Sequence, residues 1–515
     1  MTATVLLRGP GLTPEAVLAV ARDDARVALA PEAVKRMQRT RTMVELLAEG
    51  DQAVYGISTG FGALAQTRVA PDRRRELQHA IVRSHAAGMG PPIEREVVRA
   101  MLLLRARSLA MGFSGVRPIV VQGLVDILNA GITPIVPEHG SLGASGDLAP
   151  LAHASLCLLG EGEVSVLGLD GIAVPAAEAL QSCGLKPLQL ETKEGLALVN
   201  GTDGMLGMLV LACHDIARLL ATADVAAAMS VEALLGTDRA FAADLQALRP
   251  HPGQAASATN LTQLLVGSEI VASHRHDDAR VQDAYSMRCA PQVLGAARDT
   301  LSFARSVSGR ELDAAVDNPV VMPDGRVESN GNFHGAPLGY ACDFLAIALT
   351  DIASLAERRI DRLLDATRSA GLPPFLAADP GVNSGLMIAQ YTAASLLAEC
   401  RQLAYPASVD SVPTSGMQED HVSMGWTAAR KLRRVVGHTA RVIGVELLCA
   451  AAGLDVRAPM QPAAGTAAAR AVLRHKIAPQ GIDRIVAPDL ATAEHLVSSG
   501  AVLTAVESAM GHPLL

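Results

Sequence analysis

The sequence predicts a mainly α protein: a bundle of long helices preceded by a loop-rich, partly β-hairpin N-terminal region. Three observations support this fold class. Half of the 515 residues are hydrophobic and only 3% are aromatic, and the prevalence of Ala and Leu favours helix over strand. Several apolar segments of about 20 residues follow one another without a βαβ rhythm. Glycine-punctuated loops interrupt the helical segments of roughly the first 200 residues.

Capping signals and apolar spacing predict the N-terminal elements. A short strand covers Thr4 to Leu7, and Thr13-Pro14-Glu15 opens a helix, because proline is tolerated in a first helical turn. Pro150 marks the first turn of a helix that follows the small residues at 143–147. Further helices are predicted at residues 31–49, 73–84, 94–110 and 116–130.

Two hairpins and a series of long helices are predicted downstream. The hairpins are expected around Asp170-Gly171, between residues 163 and 174, and around Asp324-Gly325, between residues 320 and 327. The long helices are predicted at residues 204–235, 338–364, 385–403, 423–451 and 491–510. Because no linker marks a boundary, we divide the chain approximately into a loop-rich region at residues 1–200 and a helix bundle at residues 201–515.

Composition and charge exclude several classes of protein. The 44 basic and 52 acidic residues give a formal charge of −8, and no basic-aromatic stretch occurs, so no nucleic-acid partner is expected. Seven scattered cysteines without a Cys-x-x-Cys pair indicate reduced thiols in a cytoplasmic protein. The N-terminus lacks a signal-peptide core, and the apolar run at residues 380–398 contains polar side chains typical of a buried helix. No membrane partner is therefore expected.

The most unusual stretch is a run of small residues, Gly143-Ala144-Ser145-Gly146-Asp147, where a loop meets a helix. Gly146 has no Cβ, so its nitrogen can approach the carbonyl carbon of Ala144. Ring closure with loss of water would give an imidazolone. Loss of the Ser145 hydroxyl would leave an exocyclic methylene, an electrophile that no standard side chain supplies. The alternative is a turn in which Ser145 or Asp147 caps helix amides.

A second glycine-punctuated loop leaves two other functions open. Gly56-Ile57-Ser58-Thr59-Gly60 fits the nucleophile elbow of a serine hydrolase, although that motif requires a strand-turn-helix setting within an α/β chain. A serine hydrolase that uses Ser58 is therefore one alternative. A non-catalytic helical scaffold is another.

Eight motifs, in order, resemble those of the aromatic amino acid ammonia-lyase family between about Tyr55 and Leu454. They are Tyr55-Gly56-x-x-Thr59-Gly60-Phe61-Gly62, Ser84-His85-Ala86-Ala87-Gly88, Gly143-Ala144-Ser145-Gly146-Asp147-Leu148-Ala149-Pro150-Leu151, Asn200-Gly201-Thr202, Val281-Gln282-Asp283-x-Tyr285-Ser286-x-Arg288-Cys289, Asp317-Asn318-Pro319, Gly331-Asn332-Phe333-His334 and Gln418-Glu419-Asp420-His421-Val422-Ser423-Met424. One such motif is weak evidence, whereas eight in order are strong.

The resemblance implies a fumarase/aspartase-like fold and a built-in prosthetic group. Ala144, Ser145 and Gly146 would cyclise into 4-methylideneimidazol-5-one (MIO), and no external cofactor would be needed. The resemblance also implies a homotetramer whose active sites combine loops from several subunits. The expected partner is a small amino-acid substrate.

The family's reaction, loss of ammonia from an α-amino acid, implies catalytic roles for three residues. The electrophile formed at Ser145 would capture the amine. Tyr55 would remove the β-proton, and Tyr285 would assist in proton handling. The alternative for Tyr55 is a partly buried loop tyrosine with a satisfied hydroxyl.

Four further residues match substrate-binding positions of the family. Arg288 suits the substrate carboxylate because its planar fork can bind two oxygens, although a salt bridge to a neighbouring acid would also explain it. Asn200 and Gln282 offer neutral amides near the ring and the carboxylate. Phe333 would pack against the substrate ring. Turn-forming, loop-bracing and core roles are the respective alternatives for these three residues.

His85 and Glu419 indicate the substrate class. Family members that act on histidine are similar to this chain in carrying a Ser-His pair here, where phenylalanine-directed members carry larger apolar residues. An imidazole needs polar partners, because burying its N–H groups unpaired costs roughly 1–3 kcal/mol. The resemblance therefore implies elimination of ammonia from L-histidine to give trans-urocanate. An aminomutase, or an ammonia-lyase for tyrosine or phenylalanine, is the alternative.

Several positions depart from the histidine-type pattern, among them Tyr405 and the four named next. Ser58 stands where Asn is usual, Asp203 where Gln is usual, and Ala336 where an acid is usual; Met417 also differs. The acid gained at 203 and the acid lost at 336 are expected to change the electrostatics of the pocket. No metal site is expected from residues 418–421, because their consecutive spacing does not put ligands on one helical face.

Overall fold

A computed structural model describes residues 4–50, 54–168, 172–276, 278 and 280–515. Its α-helices are Pro14–Arg22 (α1), Pro31–Glu49 (α2), Arg74–His85 (α3), Arg95–Ala110 (α4), Pro118–Asn129 (α5), Leu148–Leu156 (α6), Ala176–Ser182 (α7), Glu194–Val199 (α8), Asp203–Ala233 (α9), Ala243–Ala247 (α10), Pro252–Leu265 (α11), Glu269–Ala272 (α12), Tyr285–Arg288 (α13), Ala290–Glu311 (α14), Ala336–Leu364 (α15), Met387–Leu403 (α16), Gly425–Val456 (α17), Ala464–Lys476 (α18), Ala487–Ser498 (α19) and Ala501–Met510 (α20). The prediction of a mainly α fold with long helices is confirmed.

The strands are short and lie between the helices. They are Val5–Leu7 (β1), Val27–Leu29 (β2), Met89–Pro92 (β3), Ile132–Pro134 (β4), Pro137–His139 (β5), Glu163–Val166 (β6), Val174–Pro175 (β7), Val320–Val321 (β8) and Val327–Glu328 (β9). β1 pairs with β2 in parallel, and β3 pairs with β5, β4 with β6, β6 with β7 and β8 with β9 in antiparallel fashion.

Both predicted hairpins are confirmed by strand pairing. Val164 lies opposite Val174 in β6 and β7, although the predicted turn at Asp170-Gly171 lies outside the described residues. In the second hairpin, Val321 of β8 lies opposite Val327 of β9.

The chain divides into two compact units, each assembled from separate stretches of sequence. The first comprises Met1–Leu211, Arg305–Cys342 and Pro406–Arg430, and the second comprises Ala212–Ala304, Asp343–Tyr405 and Lys431–Leu515. Four of the divisions fall inside the helices α9, α14, α15 and α17, so no linker signals them in the sequence. The boundary near residue 200 stays a prediction.

Three buried arginines on α4 tie the first unit together. The Arg99 guanidinium donates to the carbonyls of Val20 and Leu128 at 3.0 and 3.2 Å. Arg107 donates to the carbonyls of Ala314 and Glu311. Burial lowers the pKa of Arg99 and of Arg107 to about 10 in each case. These side chains satisfy carbonyls at loop and helix ends that would otherwise be buried without partners. The third arginine, Arg105, lies at the candidate site.

A fully buried ion pair organises the second unit. Arg359 Nε lies 2.5 Å from Glu446 Oε1, and neither side chain is exposed. Ser230 donates its hydroxyl to the same oxygen at 2.7 Å, and Arg359 also donates to the Ser286 carbonyl at 3.1 Å. The pair therefore links α9, α15 and α17 with the helical turn α13.

In the described part of the chain, three helices are long and apolar enough to cross a membrane by length and composition. They are Glu194–Ala233, which includes α8 and α9, Ala336–Leu364 (α15) and Gly425–Val456 (α17). The most apolar windows of the three are 100%, 61% and 83% buried inside the fold. Such burial is typical of helices that pack against other helices in a protein core.

One helix prediction is wrong, and several helices, among them α11, α14 and α18, lie outside the predicted ranges. The single helix expected at residues 491–510 is two helices, α19 and α20, because Gly500 adopts a left-handed φ of +79° between them. The 22-residue helix α14 is not predicted. Its sequence contains an early Pro291, several charges and Gly295, which weaken the apolar period.

We expect Glu446→Gln to lower the free energy of unfolding by about 3–5 kcal/mol, because it leaves Arg359 buried without its charge partner. The measurement is the Tm by differential scanning fluorimetry, supported by limited proteolysis. Glu76→Gln is the matched control: Glu76 pairs with Arg73 on the exposed surface, so its Tm should stay near that of the unsubstituted protein. Equal Tm values for the two variants would contradict the expectation.

Candidate active site

The small-residue loop lies against neighbouring segments with no space for side chains. Gly146 has a φ of +72°, and a Cβ at this position would lie 2.1 Å from the Gly201 carbonyl oxygen. A Cβ at Gly143 would lie 2.2 Å from Ser423 Oγ, which donates to the Gly143 carbonyl at 2.9 Å. The loop is therefore compressed between the segment that precedes α9 and the segment that precedes α17, and only glycine fits at these two positions.

Asp147 caps a neighbouring helix instead of its own. Its carboxylate accepts from the amides of Gly204 and Met205, each at 2.9 Å, in the first turn of α9. Its backbone N–H donates to the Gly201 carbonyl at 2.6 Å. The helix α6 begins at Leu148 without a side-chain cap from Asp147. The alternative in which Asp147 caps the following helix is therefore wrong, and the residue joins the loop to α9.

Burial raises the pKa of the Asp147 carboxyl to about 7. The charge of Asp203 acts in the same direction, whereas hydrogen bonds from Met205, Gly204 and Ser141 act against it. The negative form of Asp147 would also be stabilised by the N-terminus of α9. The carboxyl consequently changes charge near neutral pH.

The structure brings the predicted residues Ser145 and Asn200 together. The Ser145 hydroxyl donates to Asn200 Oδ1 at 2.7 Å. Asn200 Nδ2 donates to Asp317 Oδ1 at 3.1 Å and to the Asn318 carbonyl at 2.9 Å. The Lys193 ammonium lies 2.7 Å from Asp317 Oδ2. A buried chain of hydrogen bonds therefore runs from Lys193 to Ser145.

Sequence reasoning assigns no role to Lys193 or Asp317. Asp317 lies within the Asp317-Asn318-Pro319 motif, and Lys193 lies in a stretch, residues 192–200, that is buried throughout. The one feature of the sequence that could have indicated Lys193 is its place beside the apolar run at residues 196–199. A charge in such a run is buried only when it is paired.

Tyr55 lies in a half-buried loop with its hydroxyl engaged. The Gly62 amide donates to the Tyr55 oxygen at 3.2 Å, and the ring meets Phe61 edge-on with centroids 6.4 Å apart. A Cβ at Gly62 would lie 2.7 Å from Ser415 Oγ. The Tyr55 loop and the turn Ser415–Met417 are therefore adjacent.

Ser58 does not occupy a nucleophile elbow. Its oxygen accepts from the Val54 amide at 2.9 Å, and its side chain is buried. Residues 55–58 form a turn that leads into an isolated bridge between Thr59 and Arg68. Among the described residues around this loop, 54–68, the strand-turn-helix setting that a serine hydrolase needs does not occur.

His85 and Glu419 lie within electrostatic reach of each other. His85 ends α3, where Ser84 Oγ lies 3.1 Å from its Nδ1. Burial lowers the pKa of His85, while a hydrogen bond with the Ile81 backbone and the Glu419 carboxylate act in the opposite direction. Thr414 donates its hydroxyl to Glu419 Oε2 at 2.8 Å and so orients the carboxylate.

Phe333 is half-buried in the loop before α15. Two residues later, a Cβ at Gly335 would lie 2.8 Å from Ser423 Oγ. The same hydroxyl holds the Gly143 carbonyl. The Phe333 loop is thus anchored next to the small-residue loop.

Three of the predicted site residues belong to the second unit: Gln282, Tyr285 and Arg288. The helical turn α13 brings Tyr285 and Arg288 together. The Arg288 guanidinium lies 4.4 Å above the Tyr285 ring and donates to the Asp283 carbonyl at 2.9 Å. No carboxylate among the described residues pairs with Arg288, so the salt-bridge alternative is not realised there. Tyr285 is 70% exposed and Gln282 is also exposed.

The acid gained at position 203 is neutralised within the fold. Asp203 pairs with Arg105 at 2.9 Å, and both side chains are buried. Arg105 also donates to the Asn200 carbonyl at 3.0 Å. Ala336 is the first residue of α15, and Met417 is exposed with a left-handed φ of +71°. The charge of Asp203 also raises the pKa of Asp147.

The run at residues 418–421 forms a turn followed by extended backbone. The His421 ring stacks on His334, with centroids 5.6 Å apart and planes 6° apart. Among the described residues, no group of three or more His, Cys, Asp or Glu side chains could hold a metal ion.

We expect Asp147→Asn to change how stability depends on pH. From about pH 4 to about pH 7 the folded chain keeps a proton on Asp147 that the unfolded chain releases, so stability falls as pH rises. Asparagine has no such proton, and the fall should be smaller by up to about 1.4 kcal/mol per pH unit. The measurement is Tm across this range. Asp324→Asn, in an exposed hairpin, is the control, and an unchanged slope in Asp147→Asn would refute the expectation.

Three comparisons place the chain among known proteins. The family model described as aromatic amino acid lyase matches residues 12–475. A histidine ammonia-lyase of Streptomyces coelicolor is 58% identical over 509 residues, which cover 99% of each chain. The solved structure of a tyrosine aminomutase from Streptomyces globisporus has a TM-score of 0.94 at 38% identity and covers 100% of both chains. A histidine ammonia-lyase structure from Trypanosoma cruzi has a TM-score of 0.90 at 39% identity, covering 98% of this chain and 96% of that one. The chain therefore belongs to the aromatic amino acid lyase family and is a carbon-nitrogen lyase.

Proposed function

We propose that this lyase eliminates ammonia from L-histidine and releases trans-urocanate. The observation that carries the proposal is the neighbouring placement of His85 and Glu419. The segment that follows His85 is anchored to α6, and the segment that follows Glu419 is anchored to the small-residue loop. The Gly88 amide donates to His153 Nε2 of α6 at 3.0 Å, and Ser423 donates to Gly143 at 2.9 Å. An imidazole has two nitrogens that need polar partners, and these two side chains supply them. Full-length relatives at 57–58% identity, which are named histidine ammonia-lyases, also support this substrate.

The proposed prosthetic group is MIO formed from Ala144, Ser145 and Gly146, without an external cofactor. The loop fits this group in two respects: Gly146 is held in a left-handed conformation with no room for a Cβ, and the Ser145 hydroxyl is fixed by Asn200. Ala144 is only 8% exposed, so the reacting backbone is shielded from water. When formed, the group supplies the electrophile that captures the substrate amine.

The chain's own side chains would bind the substrate and move its proton. Asn200 presents an acceptor oxygen toward residue 145, where an amine can donate to it. Tyr55 is the proposed base for the β-proton, and the Gly62 amide, 3.2 Å from its oxygen, holds that oxygen in place. Phe333 would pack against the substrate ring. Arg288 and Gln282 would bind the substrate carboxylate, and Tyr285 would assist in proton transfer.

We also propose a cytoplasmic homotetramer whose sites combine residues of different subunits. In the second unit, five large apolar side chains are 46–64% exposed: Phe303, Phe344, Ile347, Ile388 and Tyr391. Exposed apolar surface of this kind marks an interaction site, and a second copy of the chain is the proposed occupant. The exposed turn α13 would then be available to another subunit. Light scattering after size exclusion would test the tetramer.

The proposed compartment is supported by the cysteines. All seven are free, which agrees with a reducing compartment.

Incubation with histidine, tyrosine and phenylalanine separately tests the proposed reaction. We expect urocanate from histidine only, detected by mass and ultraviolet absorbance, and a peptide containing residues 144–146 that has lost two waters. Ser145→Ala should abolish both signals while the helical circular dichroism is retained. A β-amino acid of unchanged mass would instead identify an aminomutase. An unmodified peptide in the active protein would exclude the prosthetic group.

A His85→Leu variant tests the substrate assignment. We expect kcat/KM for histidine to fall by about 10- to 100-fold, because the imidazole loses a hydrogen-bond partner in a buried site. Any activity on phenylalanine should fall less or increase. Leu64→Ala, at an exposed position, is the control for nonspecific effects on the protein. An equal loss for both substrates would show that His85 does not select the imidazole.

A further inference from the structure

The orientation of the Asn200 side-chain amide is determined by its buried partners. Its Nδ2 lies within hydrogen-bond distance of Asp317 Oδ1 and of the Asn318 carbonyl, which are both acceptors. A flipped amide would direct its oxygen at these two acceptors, and both would lose the hydrogen bond that Asn200 donates. The oxygen of Asn200 must therefore face Ser145, 2.7 Å away.

Asp317 imposes this orientation because both of its oxygens are engaged by donors. Oδ1 accepts from Asn200 and also from the Asn318 amide at 2.7 Å, while Oδ2 accepts from Lys193 at 2.7 Å. Lys193 is fully buried and Asp317 is 1% exposed. Burial lowers the pKa of Lys193, and the Asp317 carboxylate acts against this lowering. Arg105, whose charge also lowers the pKa of Lys193, completes the surroundings through its bond to the Asn200 carbonyl.

We propose that Asp317, held by Lys193, is a positioning residue that keeps the acceptor oxygen of Asn200 directed at the place where the substrate amine binds. The inference rests on the proposed function, because it assumes an amine-bearing substrate at Ser145. Asp317 acts through Asn200 and does not touch the substrate. If the amide rotated, its NH2 group would meet the N–H groups of the amine, and two donors cannot bond to each other.

Asp317→Asn disrupts the orientation without changing the size of the side chain. The new amide has one oxygen, for which the Lys193 ammonium competes with Asn200 and the Asn318 amide. The charged donor forms the stronger bond, so the oxygen turns to Lys193 and the new NH2 group turns to Asn200. We expect Asn200 to flip in response.

The double variant Lys193→Met with Asp317→Asn should reverse this effect. Methionine donates no hydrogen bond, so the oxygen at position 317 is free to accept from Asn200 and from the Asn318 amide again. The Asn200 oxygen would then face residue 145 as before. The double variant also removes the unpaired Lys193 charge and should therefore regain stability lost in Asp317→Asn. A purely structural role for Asp317 would change the binding of every ligand alike, so the inference is supported only by a loss and recovery that are selective for the amine-bearing ligand.

The experiment measures ligand binding in the Ser145→Ala background, where no turnover occurs. Calorimetry compares L-histidine with imidazolepropionate, which lacks the amine. We expect Asp317→Asn to weaken histidine binding by about 10- to 100-fold and to leave imidazolepropionate binding unchanged. The double variant should recover histidine binding. With Ser145 restored, kcat/KM for histidine should follow the same order.

Asp224→Asn is the matched control, because it removes a buried carboxylate, paired with Arg298, from the second unit. It should leave both binding constants unchanged. Equal losses for both ligands in Asp317→Asn, or no recovery in the double variant, would overturn the inference. If Asp317→Asn does not fold, the test is made on the double variant alone. Histidine binding equal to that of the Ser145→Ala parent supports the inference. Weakened binding of histidine with unchanged binding of imidazolepropionate overturns it. If unsubstituted protein makes no urocanate, the proposed function fails and the inference fails with it.

Discussion

The close approach of residues 143–147 to the start of α9 is the constraint on which the candidate site depends. A single Cβ at Gly146 would lie 2.1 Å from the Gly201 carbonyl, so this contact exists only between bare backbones. Asp147 completes it, because its carboxylate caps the first turn of α9 and its amide bonds to Gly201. The backbone position of Asn200, next to Gly201, follows from the same contact, whereas Asp317 and the Asn318 carbonyl set the direction of its side-chain oxygen.

Buried charges hold this arrangement in place. Asp203 with Arg105 and Asp317 with Lys193 lie on either side of Asn200, and all four side chains are almost completely buried. Such pairs contribute little net stability, because desolvation of the ions offsets their attraction. Their effect here is to fix orientations. Each charged group can satisfy all of its hydrogen bonds in only a few arrangements, so the polar atoms around Ser145 are held in fixed positions.

Much of the fold could be predicted from sequence, because long apolar segments with clear caps determine their own structure. The helix at residues 31–49 has its predicted bounds, whereas α14 escapes prediction because polar residues weaken its period. Within the site, small-residue loops and motif order indicated Ser145 and Asn200. Lys193 and Asp317 could not be identified in this way, since they are 124 positions apart in sequence and only the folded chain brings them together. The grouping of Tyr285 with Arg288 follows from one helical turn and is local.

The absence of space around Gly143 and Gly146 also limits which residues can change when a protein of this family acquires a different substrate specificity. A Cβ added at either position would lie within about 2.2 Å of a backbone atom or a buried hydroxyl. The small-residue loop therefore tolerates almost no substitution at these glycines. The turn at residues 414–419 is less restricted, because Thr414 and Glu419 are both partly open to solvent. New specificities in this architecture would therefore arise by exchanging residues around an unchanged reactive centre. One scaffold could in this way serve several amino acids without losing its chemistry.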